Sequence, residues 1–240
     1  ASSSNVEVRS NVVEVGNYCG WVMGTYINGS SRNILIRDNV YKMLYGGDIY
    51  GVYGDGGDTI YVKSNDIQAM DVNNSGRGIA FYNISKVLEV DSNKIKDFQY
   101  EGIHANPVAN SKWKFRYNSI SNVRERGIYA EGTGSAEYSS NRIAGVTAGI
   151  GIVVNGSNAL VSNNYVQAQG LGVAKGISLQ SGGTGSKILF NSVNITGTDV
   201  VNGQALEVLG GTNYVIKNNI FANNGGGYAA YVTSLPATRD

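Results

Sequence analysis

The sequence contains one histidine, His104, which follows the dipeptide Gly-Ile at positions 102–103. The same dipeptide recurs at 127–128, where Arg126 precedes it and Glu131 follows it. If the two segments are neighbouring strands, the strand spacing places His104 roughly 5 to 8 Å from Glu131. An imidazole and a carboxylate at that range can transfer protons to and from a glycosidic bond or a sugar ring carbon. His104, Glu131 and Arg126 are therefore the candidate catalytic residues, and a surface histidine is the structural alternative.

The residues that stand directly before the repeated glycines alternate in charge at Arg77, Glu101 and Arg126, and continue with Ile150 and Lys175. Stacked on neighbouring strands, the three charged residues predict a ladder of salt bridges at the rim of a sheet. The two arginines can also hold the carboxylates of uronate sugars by bidentate contacts. Both interpretations stay open at this point.

Aromatic and amide side chains recur in the same segments, two and four positions after the repeated glycine. Rings beside amides and carboxylates on a flat sheet can stack on sugar faces and hydrogen-bond to sugar hydroxyls. Exposed sheet faces also favour tyrosine for packing reasons alone, which is the structural alternative. The predicted substrate-binding residues are Tyr53, Asp55, Tyr82, Asn106, Tyr129, Asn155 and Gln180.

Three aspartates, Asp48, Asp55 and Asp58, lie among glycines between positions 46 and 58. Several carboxylate oxygens on a flexible loop can bind Ca²⁺. The spacing matches neither an EF-hand nor the calcium-binding nonapeptide repeat, and Asp-Gly pairs are also typical of tight turns. We therefore expect no metal or other cofactor, with Ca²⁺ as the weaker alternative.

The elements that position these residues follow from a repeated phrase, apolar-x-x-Asn-x-apolar, which occurs nine times. Its asparagines are separated by 23 to 28 residues, so one period predicts one coil of a solenoid. An interior asparagine in every coil can stack its amide on the next in a ladder. The nine asparagines are Asn11, Asn39, Asn65, Asn93, Asn118, Asn141, Asn164, Asn191 and Asn219.

A second phrase, a small residue followed by alternating apolar positions, lies between the asparagines. Period-2 alternation predicts that each phrase is a strand with one buried face. The intervening positions, including Tyr53, His104 and Tyr129, are then predicted to face outward and to form columns down the stack. A leucine-rich repeat would need several regularly spaced leucines per period, which are absent. The residues predicted to point inward are Ile79, Phe81, Ile103, Ile128, Ile152 and Ile177.

The Asn-x-Ile and Gly-Ile phrases resemble the right-handed parallel β-helix superfamily, which includes pectate lyases, polygalacturonases, alginate epimerases and many secreted bacterial surface proteins. The resemblance covers the chain from Val6 to about Leu235 and implies an all-β, single-stranded right-handed parallel β-helix of about nine coils. It also implies a secreted or cell-surface protein, and a base role for an arginine such as Arg126. No catalytic motif of one family is matched, so no family's active residues are carried over.

The composition of the chain argues against two classes of partner, nucleic acids and membranes. A formal charge of +1 and only 15% charged residues argue against a nucleic-acid binder. No apolar stretch reaches the length of a membrane helix, so membrane insertion is not expected. Residues 1–240 are expected to form one domain, with Cys19 as a core thiol. The start Ala1-Ser2-Ser3-Ser4 suggests a piece of a larger protein.

Solenoids need covered ends, and the tail 234–240 is too short to cover a coil. We therefore expect the native chain to continue, or an end to be covered by another molecule, including end-to-end self-association.

The first functional hypothesis is a module that binds a polysaccharide along the Gly-Ile face. The alternatives are a polysaccharide lyase, glycoside hydrolase or epimerase using the same face, and a structural stalk or adhesin segment without a ligand.

Overall fold

A computed structural model describes residues 4–16, 20–29, 31–44, 47–70, 75–106, 108, 110–132, 135–180 and 182–233. The predicted core thiol Cys19 and the tail 234–240 lie outside these residues. The regular structure of the described residues consists of strands alone. In chain order the strands are β1 (Ser4–Arg9), β2 (Val12–Val15), β3 (Trp21–Asn28), β4 (Arg32–Arg37), β5 (Val40–Met43), β6 (Asp48–Lys63), β7 (Asp66–Ala69), β8 (Ser75–Asp91), β9 (Lys94–Lys96), β10 (Glu101–Asn106), β11 (Lys112–Arg116), β12 (Ser119–Ser121), β13 (Arg126–Ala130), β14 (Ser135–Ser139), β15 (Arg142–Val146), β16 (Ile150–Val154), β17 (Leu160–Ser162), β18 (Tyr165–Ala168), β19 (Ala174–Leu179), β20 (Lys187–Leu189), β21 (Ser192–Ile195), β22 (Gly203–Val208), β23 (Val215–Lys217), β24 (Ile220–Asn223) and β25 (Tyr228–Val232).

Each coil contributes one strand to each of three parallel stacks. The Gly-Ile arm contains β3, the first halves of β6 and β8, and β10, β13, β16, β19, β22 and β25. The second arm contains β1, β4, the second halves of β6 and β8, and β11, β14, β17, β20 and β23. The third stack is a separate sheet of nine strands, from β2 to β24. The predicted parallel β-helix is therefore confirmed, and the described residues include no helix able to cross a membrane.

The apolar-x-x-Asn-x-apolar phrase is not one strand, as we had predicted, but two. In the second coil, for example, β4 ends at Arg37 and β5 begins at Val40. The residue before every ladder asparagine has a positive φ, between 55° and 58°, as in Asp38 and Tyr117. A left-handed residue turns the chain sharply, which costs about 1 to 2 kcal/mol outside glycine. Each coil therefore bends from the second arm into the third stack immediately before its asparagine.

The predicted asparagine ladder is present along all nine coils. Asn118 shows the pattern: its Oδ1 accepts hydrogen bonds from the backbone N–H and the Nδ2 of Asn93, at 3.0 and 3.1 Å. Its own Nδ2 donates to Asn141 Oδ1 at 3.0 Å and to the backbone oxygen of Val90 at 2.9 Å. Asn118 is 1% exposed, so these bonds satisfy polar groups that water does not reach.

The small residue of the second phrase is required by a close approach of two sheets. A Cβ added to Gly102 would lie 2.6 Å from Ile120 Cγ2 and 2.8 Å from the oxygen of Gly127. Gly127 is in the same position relative to Ile143 and Gly151. Since even alanine would clash here, the glycines let the Gly-Ile arm pack directly on the third stack.

The predicted inward residues are all confirmed: each is 0% exposed and belongs to one continuous core. The outward prediction is wrong as a statement about exposure. Ala80, His104, Val153 and Glu207 are between 0 and 5% exposed. They point away from the core but are covered by side chains on either side, so an outward position on this arm is not a solvent-exposed one.

The aspartate-rich segment is not the predicted loop. Asp48, Asp55 and Asp58 all lie on β6, which runs through both arms with a bulge between Gly57 and Thr59. Gly46, at the start of the predicted loop, lies outside the described residues. Alternating side chains of an extended strand point to opposite faces and are spread along it, so β6 does not gather these carboxylates at one point.

We predict that Asn118→Ala lowers the free energy of unfolding by about 3 kcal/mol or more, because it removes four buried hydrogen bonds, among them the one from the backbone N–H of Asn93 and the one to the oxygen of Val90. Urea or thermal unfolding measures the change. The control is Asn194→Ala, whose amide oxygen accepts one exposed bond from Asn224 and should cost less than about 1 kcal/mol. Equal losses in the two variants would contradict a stabilising role of the ladder.

Candidate functional site

The positions two residues after the repeated small residue stack along the Gly-Ile arm in the order expected from the repeats. Tyr53 pairs with Tyr26 and Ala80, and His104 pairs with Ala80 and Tyr129. The column then continues through Val153, Ser178, Glu207 and Tyr231. Residues far apart in sequence therefore become neighbours separated by about one strand spacing.

Seven aromatic rings form a continuous run across the first five coils of this arm. The ring centroids are 5.7 Å apart for Tyr53 and Tyr82, 5.1 Å for Tyr82 and His104, and 5.2 Å for His104 and Tyr129. At the other end, Trp21, Tyr26 and Tyr50 contact Tyr53 at 6.3, 5.6 and 5.0 Å. We call these seven residues the aromatic run.

Glu101 is the centre of an ion cluster beside the aromatic run. Its Oε2 lies 2.5 Å from Arg77 Nε, and its Oε1 accepts a hydrogen bond from Arg126 Nη1 at 2.6 Å. The predicted salt-bridge ladder is confirmed, but its predicted place on the rim is wrong, because the Glu101 side chain is 1% exposed. Burial removes the screening that makes surface pairs weak, so the loss of either partner is costly.

The ionised form of Glu101 is favoured by its neighbours. Burial by itself raises the pKa of Glu101, but the nearby His104, Arg77 and Arg126 outweigh it and hold the pKa below the usual 4.5. His104 Nδ1 is 3.9 Å from Glu101 Oε2, beyond hydrogen-bonding distance, so we assign the lowering mainly to the two arginines. The cluster therefore keeps one buried negative charge between two positive ones.

His104 lies between two carboxylates rather than on the surface. Its Nδ1 is directed toward Glu101, and its Nε2 is 3.9 Å from Glu131 Oε1. This distance is shorter than the predicted 5 to 8 Å. The His104 side chain is 6% exposed, whereas that of Glu131 is 36% exposed. The structure thus brings the three predicted catalytic residues together and adds Glu101 to them.

The tyrosines on either side of His104 remain protonated well above neutral pH. Burial raises the pKa of Tyr82 to about 12, despite the nearby charge of Arg77. Burial and a hydrogen bond to Glu131 raise the pKa of Tyr129. Arg126 lies over the Tyr129 ring, with its guanidinium carbon 4.4 Å from the ring centroid. Both hydroxyls therefore keep their protons: the Tyr129 hydroxyl donates to Glu131, and the Tyr82 hydroxyl can donate to a ligand.

The remaining predicted binding residues are divided between two regions. Asn106 donates to Glu131 at 3.1 Å, and Asp55 accepts from Asn83 at 2.7 Å, so both lie next to the aromatic run. Asn155 contacts the backbone of Ala130 at 3.4 Å. Gln180 belongs to a separate polar network with Ser178, Glu207 and Lys175, in coils beyond the run. A ligand centred on His104 therefore has only the first group within immediate reach.

Two other features bear on where a ligand binds. A cavity of about 550 Å³ opens on the second arm, lined in part by Lys112, Trp113 and Asn158, and it includes none of the predicted site residues. Across the described residues, no three His, Cys, Asp or Glu side chains are grouped so that they could hold a metal ion. The aromatic rings and charged groups that meet at His104 offer more kinds of contact to a ligand than the second-arm cavity does. We therefore take the region around His104 as the candidate site.

Sequence reasoning missed part of this site. Glu101 had been assigned to the rim, and Trp21 and Tyr50 had not been assigned to the face. Tyr50 stands directly before Gly51, in the same position as Arg77 and Glu101, so the repeat did contain the signal. For Trp21, which precedes its small residue Gly24 by three positions, the repeat offered no comparable signal.

We predict that the ion cluster makes stability fall at acid pH. Because the folded-state pKa of Glu101 lies below its unfolded value, its stabilisation is complete above about pH 4.5 and is lost as the pH falls through the folded value. Unfolding midpoints measured from about pH 6 to pH 3 should fall more steeply for the wild type than for Glu101→Gln. Glu125→Gln is the control, since Glu125 is 43% exposed and 3.7 Å from the same Arg126. Parallel curves for all three proteins would show that Glu101 does not cause the loss of stability at acid pH.

Two solved structures are similar to this chain over most of its length. The Dettilon tailspike protein is 12% identical, with a TM-score of 0.43, over 97% of this chain and 61% of its own. The DFA-IIIase from Arthrobacter chlorophenolicus A6, in complex with GF2, is 12% identical, with a TM-score of 0.30, over 88% of this chain and 64% of its own. This chain thus spans about six tenths of the length of both proteins. These likenesses concern the fold only.

No curated protein matches the sequence. A family model described as right handed beta helix region matches residues 50–201 and 101–237. These two matches together extend over well more than half of the sequence, and they include the whole His104 region. The chain belongs to the right-handed β-helix family.

Proposed function

We propose that the protein is an extracellular or cell-surface module that binds a polysaccharide along the Gly-Ile arm. The observation that carries this proposal is the aromatic run, in which seven rings succeed one another at centroid distances of 5.0 to 6.3 Å. Sugar rings present apolar C–H faces that stack on aromatic side chains, while their hydroxyls need hydrogen-bond partners. A row of rings next to polar groups meets both needs.

The dimensions of the run suit an extended chain. Five coils at about 4.8 Å per strand separate its ends by roughly 19 Å. The rings at one end are open to solvent, with Trp21 62% and Tyr26 53% exposed. Those near His104 are half-buried and held by neighbouring side chains. The run therefore offers a preformed surface on which a linear ligand can lie without reordering the protein.

Polar side chains accompany the run on its flank. Asn106 and Glu131 are bonded to each other next to Tyr129, and Asp55 and Asn83 are bonded to each other beyond Tyr82. Paired amides and carboxylates keep further donor and acceptor capacity for sugar hydroxyls. This arrangement supports a polysaccharide as the partner.

The structural stalk is the competing proposal for the same face. A stalk needs the coil stacking and the asparagine ladder, but it does not need exposed rings. Trp21 and Tyr26 leave more than half of their surface in water, and clustered exposed rings are typical of interaction sites. The aromatic run therefore favours a binding function over a purely structural one.

We predict that Tyr82→Ala and Tyr129→Ala each weaken polysaccharide binding by roughly 1 kcal/mol or more, about fivefold in Kd, because each removes one stacking ring. A glycan array identifies the ligand, and titration calorimetry measures the affinities. Tyr61→Ala is the matched control, since Tyr61 lies on the second arm opposite Leu35 and Glu89. Unchanged affinity in both variants, or no saccharide bound by the wild type, would contradict the proposal.

A further inference from the structure

The second-arm cavity of about 550 Å³ is separate from the face proposed to bind a polysaccharide. It lies over three successive strands of that arm, β11, β14 and β17, and none of the residues that line it belongs to the aromatic run. Binding sites for small molecules commonly enclose about 300 to 1,000 Å³. The cavity is therefore large enough to hold a small ligand of its own.

The cavity exists because successive coils differ in length where the chain passes from the Gly-Ile arm to the second arm. Ala105 is aligned with Ala130 on the Gly-Ile arm, and Lys112 is aligned with Ser135 on the second arm. The chain takes seven residues from Ala105 to Lys112 but only five from Ala130 to Ser135. The longer connection forms a wall beside the shorter one, and Asn110, which belongs to the longer connection, lines the cavity.

This wall is held in place by buried hydrogen bonds. Trp113 is 1% exposed, and its Nε1 donates to Ser111 Oγ. Ser111 Oγ in turn donates to the backbone oxygen of Val108 at 2.6 Å. Asn110 has a left-handed backbone conformation with a φ of 69°, which turns the chain sharply within the same segment. The wall is therefore preformed, and a ligand does not have to order it on binding.

Two opposite charges stand side by side in the cavity without forming an ion pair. Lys114 and Glu137 both line it and are directly opposite each other on β11 and β14. Glu14 and Lys42, which have the same relation on β2 and β5, are 2.5 Å apart. Lys114 instead has its ion pair with Glu89 on the other neighbouring strand, where Nζ and Oε2 are 4.0 Å apart. The space beside Glu137 therefore stays open.

Positive charge exceeds negative charge in the cavity. Lys112 lies two residues before Lys114 on β11, so both side chains extend from the same face, roughly 7 Å apart at Cβ. Lys112 is exposed, and its ammonium group has no partner among the described residues. Of the described residues, Glu137 is the one carboxylate that lines the cavity, and its Oε1 accepts a hydrogen bond from Ser139 Oγ at 2.6 Å. Two cations beside one carboxylate favour a ligand that carries negative charge.

The rest of the lining offers hydrogen bonds rather than stacking. Asn110, Asn158 and Ser135 are exposed polar residues, and Glu137 keeps its Oε2 as an acceptor. Trp113, the one aromatic residue among the described residues of the lining, is buried and presents no ring to a ligand. A nucleotide base would therefore lack a stacking partner here. Sugar hydroxyls, in contrast, find both donors and acceptors.

We propose that the second-arm cavity binds an anionic monosaccharide unit, either as a free sugar or as the end of a polymer. Lys112 and Lys114 hold its phosphate or carboxylate group, while Glu137, Asn110 and Asn158 bind its hydroxyls. A lysine acts as a point charge, which suits either anionic group in more than one orientation. This site goes beyond the proposed function, because it lies on a different arm and recognises charge and hydroxyls without stacking.

The binding experiment titrates the full chain in a calorimeter with glucose-6-phosphate and galacturonate as anionic sugars, glucose as a neutral sugar, and inorganic phosphate as the charge alone. We expect at least one anionic sugar to bind with a Kd below about 1 mM, and at least about tenfold more tightly than glucose and phosphate. Added salt should weaken this binding, because it screens exposed charges.

Trp113 fluorescence reports binding at this place. The chain contains two tryptophans, so Trp21→Phe leaves Trp113 as its only indole fluorophore. The emission should change on titration with the anionic sugar and give the same Kd as calorimetry. The same signal distinguishes the two sources of the ligand: trigalacturonate binds as tightly as galacturonate if the cavity accepts a polymer end, and more weakly if it accepts a free sugar.

The charged residues of the lining are tested one at a time. Lys112→Ala and Lys114→Ala should each weaken binding about fivefold or more, because each removes a charged hydrogen bond. Lys217→Ala is the matched control, since Lys217 is exposed on β23 of the same arm and lies outside the cavity, and it should change Kd less than about twofold. Thermal unfolding checks that the variants are folded. If Lys114→Ala is not, Lys112→Ala decides.

Glu137→Ala separates a sugar from a bare anion. Loss of the negative charge alone would strengthen the binding of an anion. Loss of an acceptor for sugar hydroxyls acts in the opposite direction, and we expect it to prevail and to weaken binding about twofold or more.

Each contrary outcome has a distinct meaning. Absence of saturable binding for every anionic sugar overturns this inference and leaves the proposed function of the Gly-Ile arm standing. Glucose binding as tight as that of the anionic sugars excludes the role of the lysines. Equal losses in Lys112→Ala and Lys217→Ala show a general attraction to surface charge and exclude the cavity as the site. Tighter binding by Glu137→Ala excludes recognition of sugar hydroxyls.

Discussion

The hydrogen bonds between stacked asparagine side chains fix which residue of one coil lies next to which residue of the following coil. Each asparagine between the two end coils accepts two bonds from the asparagine of the preceding coil and donates two to that of the next, one from its backbone N–H and one from its side chain, as Asn65 does between Asn39 and Asn93. A slip by one residue would bury unpaired amides along the whole stack, at a cost of about 1 to 3 kcal/mol per group. The ladder therefore sets the register on which every other arrangement in the molecule depends.

The site is a consequence of that register. With the coils aligned, Arg77, Glu101 and Arg126 come to lie above one another, and so do the rings around His104. One buried carboxylate between two guanidinium groups is stable only if both cations are in place. The same alignment leaves the histidine enclosed by two tyrosines and two carboxylates. The aromatic run and the ion cluster are thus two products of a single stacking geometry.

Much of this arrangement was predictable from the repeats, because equal positions in successive periods become neighbours. The ladder asparagines, the inward isoleucines and the order of the column from Tyr53 to Tyr129 all followed from spacing alone. Burial did not follow, since it depends on the size of neighbouring side chains: alternation placed His104 and Glu101 outside the core, but large neighbours cover them. The strand break before each asparagine was also missed, because its left-handed residue differs between coils: it is a serine, an aspartate, an aromatic residue or an asparagine.

The loops between the third stack and the Gly-Ile arm differ from the rest of each coil in their freedom to vary in length. From asparagine to small residue the spacing ranges from 9 to 14 residues, yet the ladder and the columns stay in register. Segments inserted there alter neither the amide stack nor the core, since the closure entropy of a loop grows slowly with its length. The fold thus separates an invariant frame from a border of variable loops along the Gly-Ile arm. Evolution, or an engineer, can change the chemistry at the edge of this arm by grafting loops at this border, one coil at a time.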